Sequence, residues 1–120
     1  MSNLPPLNEE TFWAILNEET DNQIVLELVW TCLGYRFDEK TQTWDNSEVD
    51  ISWKEEYPEP PDFIAYRKPT LKLTRSIPKE NKQLLKEKLG FKGYKINELT
   101  PIRTRRATAV NWLLNYVATH

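Results

Sequence analysis

The 120-residue sequence predicts an α+β domain in which about four helices pack on a small antiparallel sheet around a buried central helix. Three observations lead there. The stretch TDNQIVLELVWTCLGY at 20–35 is apolar around most of a helical wheel. Between residues 35 and 75, short segments alternate apolar and polar residues and are punctuated by prolines. Helical stretches then follow, the last opening on Thr100-Pro101. The length suits a single globular domain spanning 1–120. With 39% hydrophobic residues, five Trp, five Tyr and four Phe, the chain is too apolar and aromatic to remain disordered.

Each element has its own signal. Asn8 caps a first helix running to about Glu18, with Phe12, Ile15 and Leu16 on one face. Thr20 and Gln23 have the spacing of a capping box for the second helix, and Gly34 supplies its left-handed end. Gln23, Glu27 and Thr31 form that helix's narrow polar stripe, and its apolar run is far short of the ~20 residues that span a bilayer. Tyr35 and Phe37, a polar turn at 38–42 and Thr43-Trp44 read as a hairpin. Ile51 and Trp53 alternate as in a strand, and the three prolines of EEYPEPP at 55–61 make a connector. Phe63–Arg67 and Thr70–Arg75 read as two strands broken at Pro69. Pro78 opens a surface helix, KENKQLLKEKL, that stops at Gly90, and the last helix runs from Thr100 to about Ala118.

The net charge of −2 hides a split. Residues 1–66 hold 3 basic and 15 acidic side chains, whereas residues 67–120 hold 13 and 3. The halves either neutralise each other where they touch or leave a basic face made by Lys79, Lys82, Lys86, Lys88, Lys92, Lys95, Arg103, Arg105 and Arg106. Lys92, Lys95, Arg103 and Arg105 are the candidate anion-binding residues. On the last helix Arg106 falls on the same side as Ile102, Ala109 and Leu113, so it points inward and requires a carboxylate or carbonyl partner. Glu27 is the expected partner in a structural ion pair. The opposite side carries Thr104, Thr108, Asn111 and Asn115, and is expected to face solvent.

Several chemistries lack their residues. The one histidine, His120, ends the sequence, so neither a histidine-based triad nor a zinc-type metal cluster assembles. Phosphate-loop, dinucleotide and nucleophile-elbow motifs are missing, and no catalytic residue, metal or cofactor is expected. The single Cys32 lies in the apolar helix and reads as an inert core thiol. The amino terminus lacks a secretory pattern and no segment suits a membrane, so a cytoplasmic setting is expected. Gly90-Phe91-Lys92-Gly93 has the GxxG form by which KH domains clamp RNA, and also the form of a helix C-cap followed by a turn.

Three stretches, WTCLGYRFD at 30–38, SIPKENKQLLKEKLGFKGY at 76–94 and ELTPIRTRRATAVNWLL at 98–114, resemble a small domain-of-unknown-function family of cyanobacteria and plastids. The resemblance implies a cytosolic or stromal setting in a photosynthetic cell and carries no substrate, cofactor or catalytic residue. Charge asymmetry without catalytic groups points to an interaction or accessory protein whose basic half contacts an anionic partner, a protein. An RNA-binding module is one alternative. An enzyme using carboxylates and arginines in a pocket at the helix–sheet junction is another.

Overall fold

The computed structural model describes residues 4–120. Among these residues the chain forms six α-helices and a two-stranded antiparallel sheet, so the fold is α+β but mostly helical. Helix α1 spans Glu9–Leu16 and α2 Asn22–Leu33; β1 (Arg36–Asp38) pairs with β2 (Thr43–Asp45); α3 is one turn, Ile51–Lys54. Then come α4 (Arg67–Ser76), α5 (Leu84–Leu89) and α6 (Pro101–Thr119).

The helix count exceeds the expected four because two alternating segments are helical. At 51–54 Asp50 takes the Ser52 N–H at 3.0 Å and starts a turn that buries Trp53. The strands expected at Phe63–Arg67 and Thr70–Arg75 are instead a loop and α4. Pro69 sits in the first turn of α4, where a missing N–H breaks no intrahelical bond. Pro69, Leu73 and Ile77, four residues apart, then face the core.

The hairpin sets Phe37 opposite Trp44, and its strand residues are exposed except for Trp44, whose ring meets Trp30 edge-on at 5.2 Å. The helices therefore pack on one another rather than on the sheet. The centre is shared. Helix α2 buries Val25, Leu26, Leu28, Val29 and Trp30, but it is α6 that touches α1, α2, α4 and α5. On α6 the expected inward residues Arg106, Ala109 and Leu113 are buried, but so are Val110, Asn111 and Trp112 around the rest of the helix's middle, while Ile102 near its start is partly exposed.

Local chemistry explains the breaks. Asn8 caps α1 through the Thr11 N–H at 3.0 Å, and α1 ends two residues early because Glu18 turns to φ 60°. The Thr20–Gln23 capping box does not form; Asp21 is the N-cap, and Gln23 Nε2 donates instead to Glu27 at 2.9 Å. Gly34 ends α2 at φ 113°, and a Cβ there would lie 2.5 Å from the Glu48 carbonyl oxygen. The helix expected to run on from Pro78 breaks after a 3₁₀ turn at Lys79–Asn81. Asn111 splints the break: its Oδ1 accepts from Leu85 N at 3.1 Å and its Nδ2 donates to Asn81 O at 3.2 Å. Thr100 caps α6 through Arg103 N, with Pro101 following.

Candidate interaction surface

Arginines and lysines of the basic half take different places. Arg106 is 2% exposed and spends all three nitrogens on oxygens of the α1–α2 corner: Nε to Ile15 O (2.9 Å), Nη1 to Asn22 Oδ1 (2.6 Å) and Nη2 to Thr20 O. Helix α1 has no basic residue in its own last turn, so α6 provides the cation that its carbonyl end favours. Burial pulls the Arg106 guanidinium below the usual arginine range, opposed by the nearby Glu18 carboxylate. The Glu27 pairing is thereby corrected. Glu27 lies on the far side of α2, bonded to Gln23, and carbonyl oxygens take the role expected of a carboxylate.

Two of the four expected anion-binding residues are engaged within the fold. Arg103 donates from Nε to Glu18 Oε2 at 2.9 Å and from Nη1 to Glu98 O at 2.6 Å, with its guanidinium 5.9 Å from the Tyr94 ring. Arg105 Nη1 donates to Ile64 O at 2.8 Å. Lys92 and Lys95, in contrast, project into solvent from the stretch between α5 and α6.

Contact between the halves neutralises part of the split. Glu18 pairs with Arg103, and Glu56 pairs with Lys72 (2.8 Å) and Lys68 (3.5 Å). The hydrogen bond from Lys72 leads the causes that hold the Glu56 carboxyl below its ordinary range. At 79–95 the balance differs. Six lysines, all exposed, stand against Glu80 and Glu87, and among the described residues no ion pair joins any of them to a carboxylate.

Phe91 and Tyr94, beside these lysines, are turned inward. Phe91 meets Trp13 at 5.9 Å and Tyr94 at 5.1 Å, both edge-on, and the Tyr94 hydroxyl donates to Leu16 O at 2.7 Å. The GxxG segment is thus a helix C-cap, with Gly90 at φ 70°, followed by an aromatic pin onto α1. Next in the chain, Ile96, Leu99 and Ile102 are 93%, 57% and 43% exposed, an apolar patch directly after the lysines.

One recess adjoins this surface and another lies apart from it. The first, of about 570 Å³, runs between α4 and the first turns of α6, with Arg67 and Arg105 on its rim and Leu71 and Leu99 in its walls. The alternation that reads as strands over 63–75 conceals this groove; threonines four apart, at 70/74 and 104/108, are the signal of it in the sequence. The other, of about 550 Å³, lies at the helix–sheet junction, where Glu27 and Thr31 of α2 face Arg36, Phe37 and Trp44 of the hairpin. Arg36 Nη1 is held there by Thr31 O and Tyr35 O at 2.8 and 2.9 Å. Cys32 is half-buried, and burial raises its thiol to about 11, Arg36 opposing, so it is protonated at neutral pH. Among the described residues no group of His, Cys, Asp and Glu is placed to hold a metal, and no helix is long and apolar enough to cross a membrane.

A family model described as a domain of unknown function, DUF1823, matches residues 6–118. The chain belongs to that family. A solved structure, described as a solution NMR structure, is 52% identical to this DUF1823 chain with a TM-score of 0.84, covering 99% of this chain and 98% of that one. No curated protein matches.

Proposed function

We propose that this DUF1823 domain is a non-catalytic interaction or accessory protein of the cytoplasm or stroma of a photosynthetic cell, whose basic C-terminal half binds an anionic protein. The observation that carries this reading is the exposed lysine run at 79–95, without carboxylate partners among the described residues, continuing into exposed Ile96, Leu99 and Ile102. Cationic and apolar groups side by side suit an acidic protein surface. RNA binding by stacking needs free aromatic faces, and Phe91 and Tyr94 use theirs in packing. The test is affinity purification of wild type and a Lys92→Glu/Lys95→Glu variant, with and without nuclease. Protein partners that survive nuclease and are lost with the variant support the reading; partners that vanish on nuclease treatment sink it.

The cleft at the helix–sheet junction favours a second reading, because it sets a carboxylate, Glu27, and a guanidinium, Arg36, in one recess with the Trp44 and Phe37 rings. A small ligand that co-purifies and is released by Trp44→Ala would promote that reading over the first.

A further inference from the structure

We propose that the groove between α4 and α6 is a docking site for an acidic amphipathic helix of a partner protein. This rests on the interaction-protein reading and assigns it a surface that adjoins the lysine run and the apolar patch after it, sharing Lys82 and Leu99 with them. Helices α4 and α6 lie side by side with the same polarity: Arg67 and Pro101 line one end of the groove, and Ser76 Oγ accepts from Trp112 Nε1 at 2.9 Å further along. A second recess of about 390 Å³ shares Thr74, Thr104 and Thr108 with the first and continues it to Lys82. From Thr100 to Asn111 the furrow is about 16 Å long at 1.5 Å per helical residue, the length of about three helical turns.

The floor is apolar although threonines dominate it. Thr70 Oγ1 donates to Phe63 O and Tyr66 O, Thr74 Oγ1 to Thr70 O, and Thr108 Oγ1 to Thr104 O, while Thr100 Oγ1 accepts the Arg103 N–H. With the Thr70, Thr74 and Thr108 hydroxyls turned to backbone carbonyls, the wall between Leu71 and Leu99 is mainly aliphatic, with the exposed Thr104 at its middle. Such a floor offers little to a sugar or base and much to aliphatic side chains. The rim selects the charge. Arg67 and Arg105 stand at one end, Arg105 also bonded to Ile64 O, and Lys82, whose Nζ donates to Thr74 O at 2.6 Å, at the other; among the described residues no carboxylate lines either recess, in a chain with 18 acidic residues. Apolar residues at i, i+3, i+4 and i+7 with flanking carboxylates complement that pattern.

The experiment titrates synthetic helical peptides of about 12 residues into the full ¹⁵N-labelled chain: leucines at those positions with flanking glutamates, the same leucines with lysines, and the same glutamates with serines for leucines. The glutamate–leucine peptide is expected to shift the amides of Leu71, Thr74, Thr104 and Thr108. Arg67→Glu and Leu99→Asp, both at exposed side chains, should each weaken it about five-fold or more. Equal binding of the lysine or the serine peptide overturns the proposal. So do groove shifts produced by a 12-nucleotide single-stranded RNA, or by self-association on concentration. Shifts confined to Lys92 and Lys95 overturn the groove and spare the interaction reading; no response to any acidic peptide removes both.

Discussion

Replacing Arg106 tests whether the basic half is held by carbonyl oxygens or by Glu27. Arg106→Ala removes three hydrogen bonds from a charged donor, each worth about 1.5–3 kcal/mol before compensation. Compensation is uneven. Ile15 O keeps the Glu18 N–H at 3.2 Å, and Thr20 and Asn22 lie where water reaches them. The alanine also leaves the volume of a buried side chain empty. The net cost is about 3 kcal/mol, at the low end of the range for breaking a buried charged arrangement. At about 4 °C per kcal/mol for a chain of this length, Tm should fall by about 12 °C. Arg106→Lys, one ammonium for three divergent acceptors, should cost about half as much. Glu27→Ala, whose partner is a glutamine on the surface, should stay within about 0.5 kcal/mol of wild type. Urea denaturation of both single mutants and the double mutant gives the coupling directly, expected below about 0.3 kcal/mol. Arg106→Ala at wild-type stability, or a Glu27–Arg106 coupling above about 1 kcal/mol, would refute the assignment.

Gly34→Ala places a Cβ 2.5 Å from Glu48 O at a φ of 113°, and is expected to cost about 3 kcal/mol or to prevent folding, read by thermal melts; a neutral result refutes the close approach. Asn111→Leu strands the Leu85 N–H and the Asn81 carbonyl, so a loss of about 2 kcal/mol with faster hydrogen exchange at Leu85 is expected. Stability should also fall with alkali. Burial raises Cys32 from 9.0 to about 11 and Tyr35 from 10.0 to about 12, so both groups stay neutral in the folded chain while the unfolded chain ionises first. Their contribution is complete below pH 9 and is lost as pH climbs toward 12, measurable as a falling denaturation midpoint. Alkylation of Cys32 in the native protein should rise around pH 11 rather than at an ordinary thiol's value.

What could be read from the sequence was local. The Asn8 cap, the Gly34 stop and the Thr100-Pro101 start depend on groups within a few residues, and all three form as expected. Helix α4 was not legible because KPTLKLTRS satisfies both periods: Leu71 and Leu73 alternate, while Pro69 and Leu73 are four apart, and the choice belongs to the neighbours α4 packs against. A wheel turns Asn111 outward by default. Its burial follows from the broken helix it splints, a tertiary partner no single segment reveals. The same blindness applied to Arg103 and Arg105, whose carbonyl acceptors lie on other segments or just before α6.

The division between arginine and lysine resolves the charge split. Where the basic half meets the acidic half, the cations engaged most deeply are arginines, since a planar guanidinium serves several oxygens at once and is weakly hydrated. Ammonium groups, strongly hydrated and compact, stay on the surface along 79–95, where among the described residues only Lys82 reaches a backbone oxygen, that of Thr74. The −12 and +10 of the two halves are thus neither wholly cancelled nor wholly displayed. Arginines of α6 stitch the acidic corner to the core, and the lysines, with Arg67 at the groove, carry the surplus that a partner meets. Charge removal should therefore divide by engagement within the fold, with changes at Arg103 and Arg106 lowering stability and changes at the exposed Lys92, Lys95 and Arg67 leaving it in place.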